Sequence, residues 1–438
     1  MVIFAMITFD VYHAPFYSGG SPYAAAKAGT FWKDGYLVGG ISSGGFPYYD
    51  DFYLVELDTL GNVVNDEIYL TEYLIDVMRS LFVQEDGSVI CTGHRYYVYK
   101  SNVSIILKYD ENLSMVWEKK ISSPYEYNFS IPFHGGFLAC GSYGTDLFFE
   151  KYEDSMRIWN RIYDFGGREN AFAGIEVPDG ALICGTGGDH DFLVVRIDTA
   201  GDTIWYSVWG DSLWYERITG IECVLDGFIA VGTKKLVDTL GDTSYLYLAK
   251  IDPTGSILWE KVYRVNGGNA VGKTIKITSN GNLVVCGTAQ WSDSSRMWLL
   301  TVDENGDTLW TRILPSIGND SAAFAFQTPD GGYFIGGTAY SGTSMYMHLL
   351  KTDSSGFIPQ KVKEKEKEKT MICVSYANVE TEEKGMAILY DETGRRVKIY
   401  SLKPGRNHIS LEEFPPGVYM FVVRTKEKRK AIKVLLLK

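Results

Sequence analysis

The chain has 438 residues, with 42 Lys and Arg against 54 Asp and Glu, a formal net charge of −12. That length exceeds the usual size of one core, so it predicts two or more domains or one closed repeat architecture. The acidic balance repels nucleic-acid backbones and anionic membrane surfaces, and no local basic patch stands out in the first 358 residues.

Composition points to strands. There are 30 Tyr, 22 Phe and 46 Gly against 13 Pro, and no long helical periodicity, as expected of short strands joined by glycine turns. The N-terminal MVIFAMITFD lacks a basic n-region and a small-residue cleavage site, so it is a poor secretory signal. It is also too short to span a bilayer. The expectation is a cytoplasmic chain, or one whose leader lies outside it.

From Asp34 onward one phrase recurs: DGYLVGG at Asp34, DGSVICTG at Asp86, HGGFLACG at His134, DGALICGT at Asp179, DGFIAVGT at Asp226, NGNLVVCGT at Asn280 and DGGYFIGGT at Asp330. The spacing is roughly 45 to 55 residues, a repeat period. After each copy comes an alternating strand, such as DFLVVRID at Asp191 or YLYLAKID at Tyr245. A second glycine turn and a further strand follow in most copies, as in IDPTGSILWEKVY from Ile251. Each repeat therefore predicts four strands, a to d, joined by tight turns in which glycine accepts the positive φ. Radially packed, seven such units make a β-propeller.

The ends sharpen this reading. The seventh repeat stops after its third strand, MHLLKTD, without a tryptophan-bearing fourth. Residues Ala5 to Phe16 form a spare strand before the first repeat, so the N-terminal strand is predicted to complete the last blade and close the ring. Trp117, Trp159, Trp205, Trp259 and Trp310 share one place in strand d and are expected to pack against neighbouring blades. Cys91, Cys140, Cys184 and Cys286 share one place in strand b, too far apart for disulfides, and are expected to be buried thiols.

The loops between strands b and c vary most. They place Tyr48, Tyr49, Tyr96, Tyr97, Tyr143, Trp291 and Tyr340 on one rim, with His94, Asp189 and His190 nearby. Rigid aromatics among small polar residues suit a glycan, peptide or protein ligand. No phosphate loop, HExxH, GxSxG or CxxC occurs, and the six histidines have no metal-ligand spacing, so no cofactor or metal is expected. DENGDT at Asp303 resembles part of a calcium loop, but Leu314 stands where that loop needs its bidentate Glu. A catalytic alternative, an extracellular carbohydrate- or peptide-cleaving enzyme, would need carboxylates such as Asp50, Asp51, Asp189, Asp191 and Glu126 to converge.

KVKEKEKEK, residues 361–369, alternates in charge with no apolar face and reads as a solvated linker. The organisation is thus a propeller over 1–358, a linker over 359–369 and a second β unit over 370–438. Within that unit, Tyr390, Asp391, Gly394 and Arg395 form a YDxxGR hairpin, and Pro416, Gly417, Val418 and Tyr419 form a PxGVY strand entry. These motifs resemble the type A C-terminal sorting domain of the type IX secretion system. That resemblance implies a small immunoglobulin-like β-sandwich, a secretion-machinery partner, and a secreted or cell-surface location. The residues VSYANVETEEK stand where many members have a Pro-Asn-Pro stretch. The phrase IDPTGSILWE is similar to quinoprotein-like propeller repeats, whose adjacent cysteine pair and acidic calcium site have no counterpart placed here. The combined expectation is a monomeric, exported, non-enzymatic binding or scaffold propeller that binds no nucleic acid and has no transmembrane segment.

Overall fold

The computed structural model of the chain describes residues 9–13, 23–43, 50–69, 74–97, 102–122, 125–188, 190–236, 243–358, 369–373, 376–381, 383–390, 396–411, 413–415, 417–425 and 429–436. They divide into two compact units, 1–358 and 359–438.

The first unit is built of seven four-stranded antiparallel sheets, and six of them take their strands in simple chain order. Blade 4 is representative, with strands Asn170–Val177, Gly180–Gly187, Asp191–Asp198 and Thr203–Trp209 hydrogen-bonded in sequence. Apolar residues of strands b and c point to both sheet faces, so these strands are buried almost throughout, while strand d is half exposed. An apolar cluster occupies each junction: Leu138, Phe149, Ile183 and Val195 between blades 3 and 4, for example, and Cys184, Val194, Ile218 and Ala249 between blades 4 and 5.

The seventh sheet holds Asn319–Gln327, Tyr333–Ser341 and Ser344–Thr352, and its outer strand is Phe9–His13 from the opposite end of the chain. Phe9 pairs with Lys351 and His13 with Met347, antiparallel, so the N-terminal strand closes the ring. Asp10 is tied to His348 (2.9 Å), which also holds Asp320 of the innermost strand (2.7 Å). On the other side His13 meets the hydroxyl of Tyr53 in blade 1 at 2.6 Å.

One device repeats at the outer edge. Strand d carries the tryptophan directly opposite Lys151, Arg196, Lys250 or Thr301 of its own strand c. Each indole then covers the turn after strand c of the next blade: Trp159 over Gly201, Trp205 over Gly255, Trp259 over Gly306 and Trp310 over Gly356. These glycines have φ between +75° and +93°, and a methyl on any of them would fall 2.6–2.8 Å from the ring. Glycine is therefore required twice, for the left-handed backbone and for the close approach. Blade 1 departs from this: Asn65 stands at the tryptophan position, and Leu113 of blade 2, with φ +62°, stands at the glycine position and is buried.

The c–d aspartates cap their own turns. Asp303 Oδ1 accepts from the amides of Asn305 (2.9 Å) and Asp307 (2.8 Å), and Asp58, Asp110, Asp198, Asp252 and Asp353 do the same two and four residues on. This is an Asx turn. Cys91, Cys140, Cys184 and Cys286 are free and buried.

The second unit has a five-stranded sheet and a two-stranded sheet around one core of Ala377, Val379, Ala387, Leu389, Ile409, Phe421 and Val423. In the larger sheet Gly385–Tyr390 lies between Arg396–Leu402 and Gly417–Thr425, and Lys369–Cys373 runs parallel to Arg429–Leu436. Tyr390 ends its strand and Gly417 and Val418 open theirs. Tyr419 is buried and donates to the Pro415 carbonyl at 2.9 Å. Asp391, Gly394, Arg395 and Pro416 lie outside the described residues.

Candidate ligand-binding face

The first strands of consecutive blades face the axis, because strand a is the inner edge of every sheet and the closing strand and the tryptophan strands are outer edges. The b–c loops and d–a connections therefore share one face, where the aromatic rim was predicted. Tyr48, Tyr49 and Asp189 lie outside the described residues.

The rest of the rim is uneven. Tyr96 and Tyr97 are half-buried at the end of Val89–Tyr97. The Tyr143 ring packs 4.7 Å from Tyr125. His190 is exposed and stacks 4.2 Å from Tyr215, and Tyr340 is 49% exposed. Trp291 donates from Nε1 to the Asn266 carbonyl (3.1 Å) and forms one wall of an open cleft of about 470 Å³ with Arg264, Thr243 and Asn269. His94 corrects the sequence reading. Strand b of blade 2 runs on through Tyr97, so His94 sits inside the sheet, is 4% exposed and is not a rim residue. Burial and the nearby Arg79 charge hold its pKa down to about 4, against the opposing hydrogen bond of Asn128.

At the axis the structure shows a feature that the linear sequence conceals. Strand a of every blade carries a β-bulge at the same place, and the extra residue is Lys27, Arg79, Asn128, Phe172, Thr219, Lys273 or Ala323. A bulge takes one residue out of the pleat's alternation, so it re-aims that side chain. Lys27 and Arg79 are exposed even though the strand residue on their N-terminal side, Ala26 or Met78, is buried. Lys273 of blade 6 feels Lys27 of blade 1, two blades away, and Lys27 feels Arg79. All of them lie on strand a, the inner edge of its sheet. Burial, then the charges of Arg217 and Lys27, bring the Lys273 pKa down to about 8.

Among the described residues, none of Lys27, Arg79, Arg217 and Lys273 makes an ion pair. By contrast Arg95, also internal, holds Asp76 with two bonds of 2.8 and 2.7 Å and Glu118 at 3.2 Å. The first 358 residues thus do contain a basic cluster, assembled from four blades. A signal for it exists in the sequence: Lys27, Arg79, Phe172, Thr219, Lys273 and Ala323 each stand seven residues before the turn residue Asp34, Asp86, Asp179, Asp226, Asn280 or Asp330.

The described carboxylates expected of a catalytic site come from three different blades. Asp51 is buried in blade 1, Asp50 is half-buried beside it, Glu126 is exposed in blade 3 and Asp191 is half-buried in blade 4. A different trio does gather. Asp146, Asp164 and Glu169, from the b–c and d–a connections of blades 3 and 4, bring carboxylate oxygens within 4.8 Å of one another. Burial, with Asp164 and Asp146 adding to it against the Phe165 amide, raises the Glu169 pKa to about 7. Its oxygens have no accessible surface.

No protein-family model and no curated protein sequence matches the chain. Solved structures do. Sqt1 from Chaetomium thermophilum is 10% identical with a TM-score of 0.47, over 98% of this chain and all of that one. The β-propeller domain of the Trilobed protease from Pyrococcus furiosus is 11% identical (TM-score 0.44), over 76% and 94%. Puromycin hydrolase is 12% identical (TM-score 0.48), over 94% of this chain and 64% of its own length. The propeller assignment itself rests on the seven sheets and their closure. Among the described residues no helix is long and apolar enough to cross a membrane.

Proposed function

We propose that this chain is an exported, non-enzymatic binding propeller whose ligand is an acidic peptide or protein segment. Its carboxylates enter the axis from the loop-rich face, and the rim aromatics receive the flanking residues. The observation that carries this reading is the set of four cations, Lys27, Arg79, Arg217 and Lys273, on the innermost strands of four blades, none of them in an ion pair among the described residues although the Asp50 charge reaches Lys27, in a chain of net charge −12. Like charges this close repel, and partial burial adds a desolvation cost. An anion relieves both, with short charge-assisted hydrogen bonds that a guanidinium makes in pairs. Lysines scattered on an outer surface would gain little from one ligand, whereas several cations near one another focus their field on it.

The C-terminal unit, in this reading, serves export: its PxGVY entry places Val418 and Tyr419 at the start of a central strand of a small sandwich, consistent with a type IX sorting signal. Fractionating a host of that secretion type with and without residues 370–438 tests export alone, and secretion of the truncated chain would defeat it.

The binding claim is tested on the purified chain with poly-Glu peptides, using titration calorimetry at low and high salt. Arg79→Ala with Lys273→Ala should weaken binding at least 10-fold, and 0.5 M salt should weaken the wild type similarly. Above about pH 8 Lys273 loses its proton, so affinity should fall there first. Equal affinity in the double variant would sink the axial site. If instead Trp291→Ala alone abolishes binding, the cleft between blades 5 and 6 is the site.

A further inference from the structure

The trio in the blade 3–4 junction serves no purpose in that axial reading, and it is built at some cost. Asp146 opens strand c of blade 3, Asp164 follows strand d, and Glu169 precedes strand a of blade 4. The three are held by backbone. The Glu169 amide donates to the Thr145 carbonyl at 2.7 Å, the Arg168 amide to that of Gly188 at 2.8 Å, and Gly166 and Gly167 turn the connection with φ of +93° and +103°. Asp146 Oδ1 accepts from the Thr145 hydroxyl (2.8 Å) and Asp164 Oδ1 from the Gly166 amide (2.8 Å).

Glu169 is different. It is 0% exposed, neither carboxylate oxygen has accessible surface or a side-chain partner, and the Phe165 amide, which favours its charge, does not reach either oxygen in good hydrogen-bond geometry. No Lys, Arg or His among the described residues pairs with any of the three acids. A buried, unpartnered carboxylate beside two more is strongly unfavourable unless something positive joins it.

We propose that Asp146, Asp164 and Glu169 bind one calcium ion, which ties the blade 3–4 connection to the loop-rich face. The donors are all oxygen, which selects a hard cation over zinc or copper. The spacing fits calcium: ligands about 2.4 Å from the ion on opposite sides lie about 4.8 Å apart, and neighbouring ones lie closer. Carboxylate oxygens within 4.8 Å of one another are close enough to share one such ion. Magnesium draws ligands to about 2.1 Å and keeps most of its waters, so a set containing a desolvated Glu169 suits it less. Asp164 is exposed, which leaves a side open for entry and for water ligands.

The test uses the full chain, stripped with EDTA and desalted, then titrated with CaCl2 or MgCl2 by calorimetry and followed by thermal unfolding. Calcium should bind one per chain and raise Tm by several degrees, with at least a 10-fold preference over magnesium. Glu169→Gln keeps the shape and removes the charge. It should lose the calcium response while melting at or above the stripped wild type, because the buried charge is gone. Asp146→Asn should weaken Kd at least 10-fold, a second readout independent of Glu169. No heat and no Tm shift at 5 mM calcium overturns the proposal. So does Glu169→Gln that keeps the calcium response, or a magnesium response equal to that of calcium.

Discussion

The junction between blades 1 and 2 and the four junctions from blade 3 to blade 7 solve the same packing problem by opposite means. In the four, a large indole on one blade reaches over a residue without a side chain on the next, Trp205 over Gly255 being one pair. In the first, the small Asn65 faces the large Leu113, and the Asn65 amide reaches only the Asn112 carbonyl, at 3.3 Å. Leu113 even adopts φ +62°, a conformation normally left to glycine, and joins the buried cluster of Trp32, Leu107 and Tyr109. The large apolar side chain at this junction thus belongs to the turn, Leu113, rather than to strand d. Close packing, rather than the tryptophan itself, is the property the repeats keep.

The largest effect should come from filling the glycine. Gly255→Val places a β-branched residue at φ +93° with its Cβ 2.7 Å from Trp205, so it should cost about 3 kcal/mol or more in chemical denaturation. A cost below about 1 kcal/mol would mean that the indole swings away freely. Leu113→Gly should cost about 2 kcal/mol, since the lost burial outweighs the relieved backbone. Adding Asn65→Trp should recover at least half of that, a coupling visible in a double-mutant cycle. Simple additivity would show that the junctions are not interchangeable.

The smallest effect concerns the junction where the N-terminal strand closes blade 7. Burial opposes charge on His348, but Asp10 and Asp320 outweigh it, and its pKa lies above the usual value of 6.5. A raised histidine pKa stabilises fully below 6.5 and is lost as pH rises through the folded-state value. Asp10→Asn should therefore cost more at pH 6 than at pH 9, by about 1 kcal/mol or less. A cost independent of pH would remove the charge from this contact.

Much of this was legible beforehand. The glycine turns, the strand-d tryptophans and the missing fourth strand of the last repeat are local patterns, and they led to seven blades and to closure by residues within Ala5 to Phe16. The site was far less legible, for two physical reasons. A bulge shifts the alternation by one residue, so Lys27 and Lys273 read as out-of-phase surface positions rather than members of a ring. And Asp146, Asp164 and Glu169 come from separate connections, whose approach depends on the Gly167 and Gly188 backbones meeting. His94 failed in the other direction, because strand and loop look alike where the chain reads HRYYVY.

The bond between Asp10 and His348 joins residues 338 positions apart. Bringing the ends of so long a segment together costs about 5 kcal/mol in chain entropy before any contact rewards it. During synthesis the Phe9–His13 strand must therefore wait, unpaired, until nearly the whole ring has been made. The seventh blade and the strand that precedes the first are completed in one event, which makes ring closure a late checkpoint on the propeller as a whole.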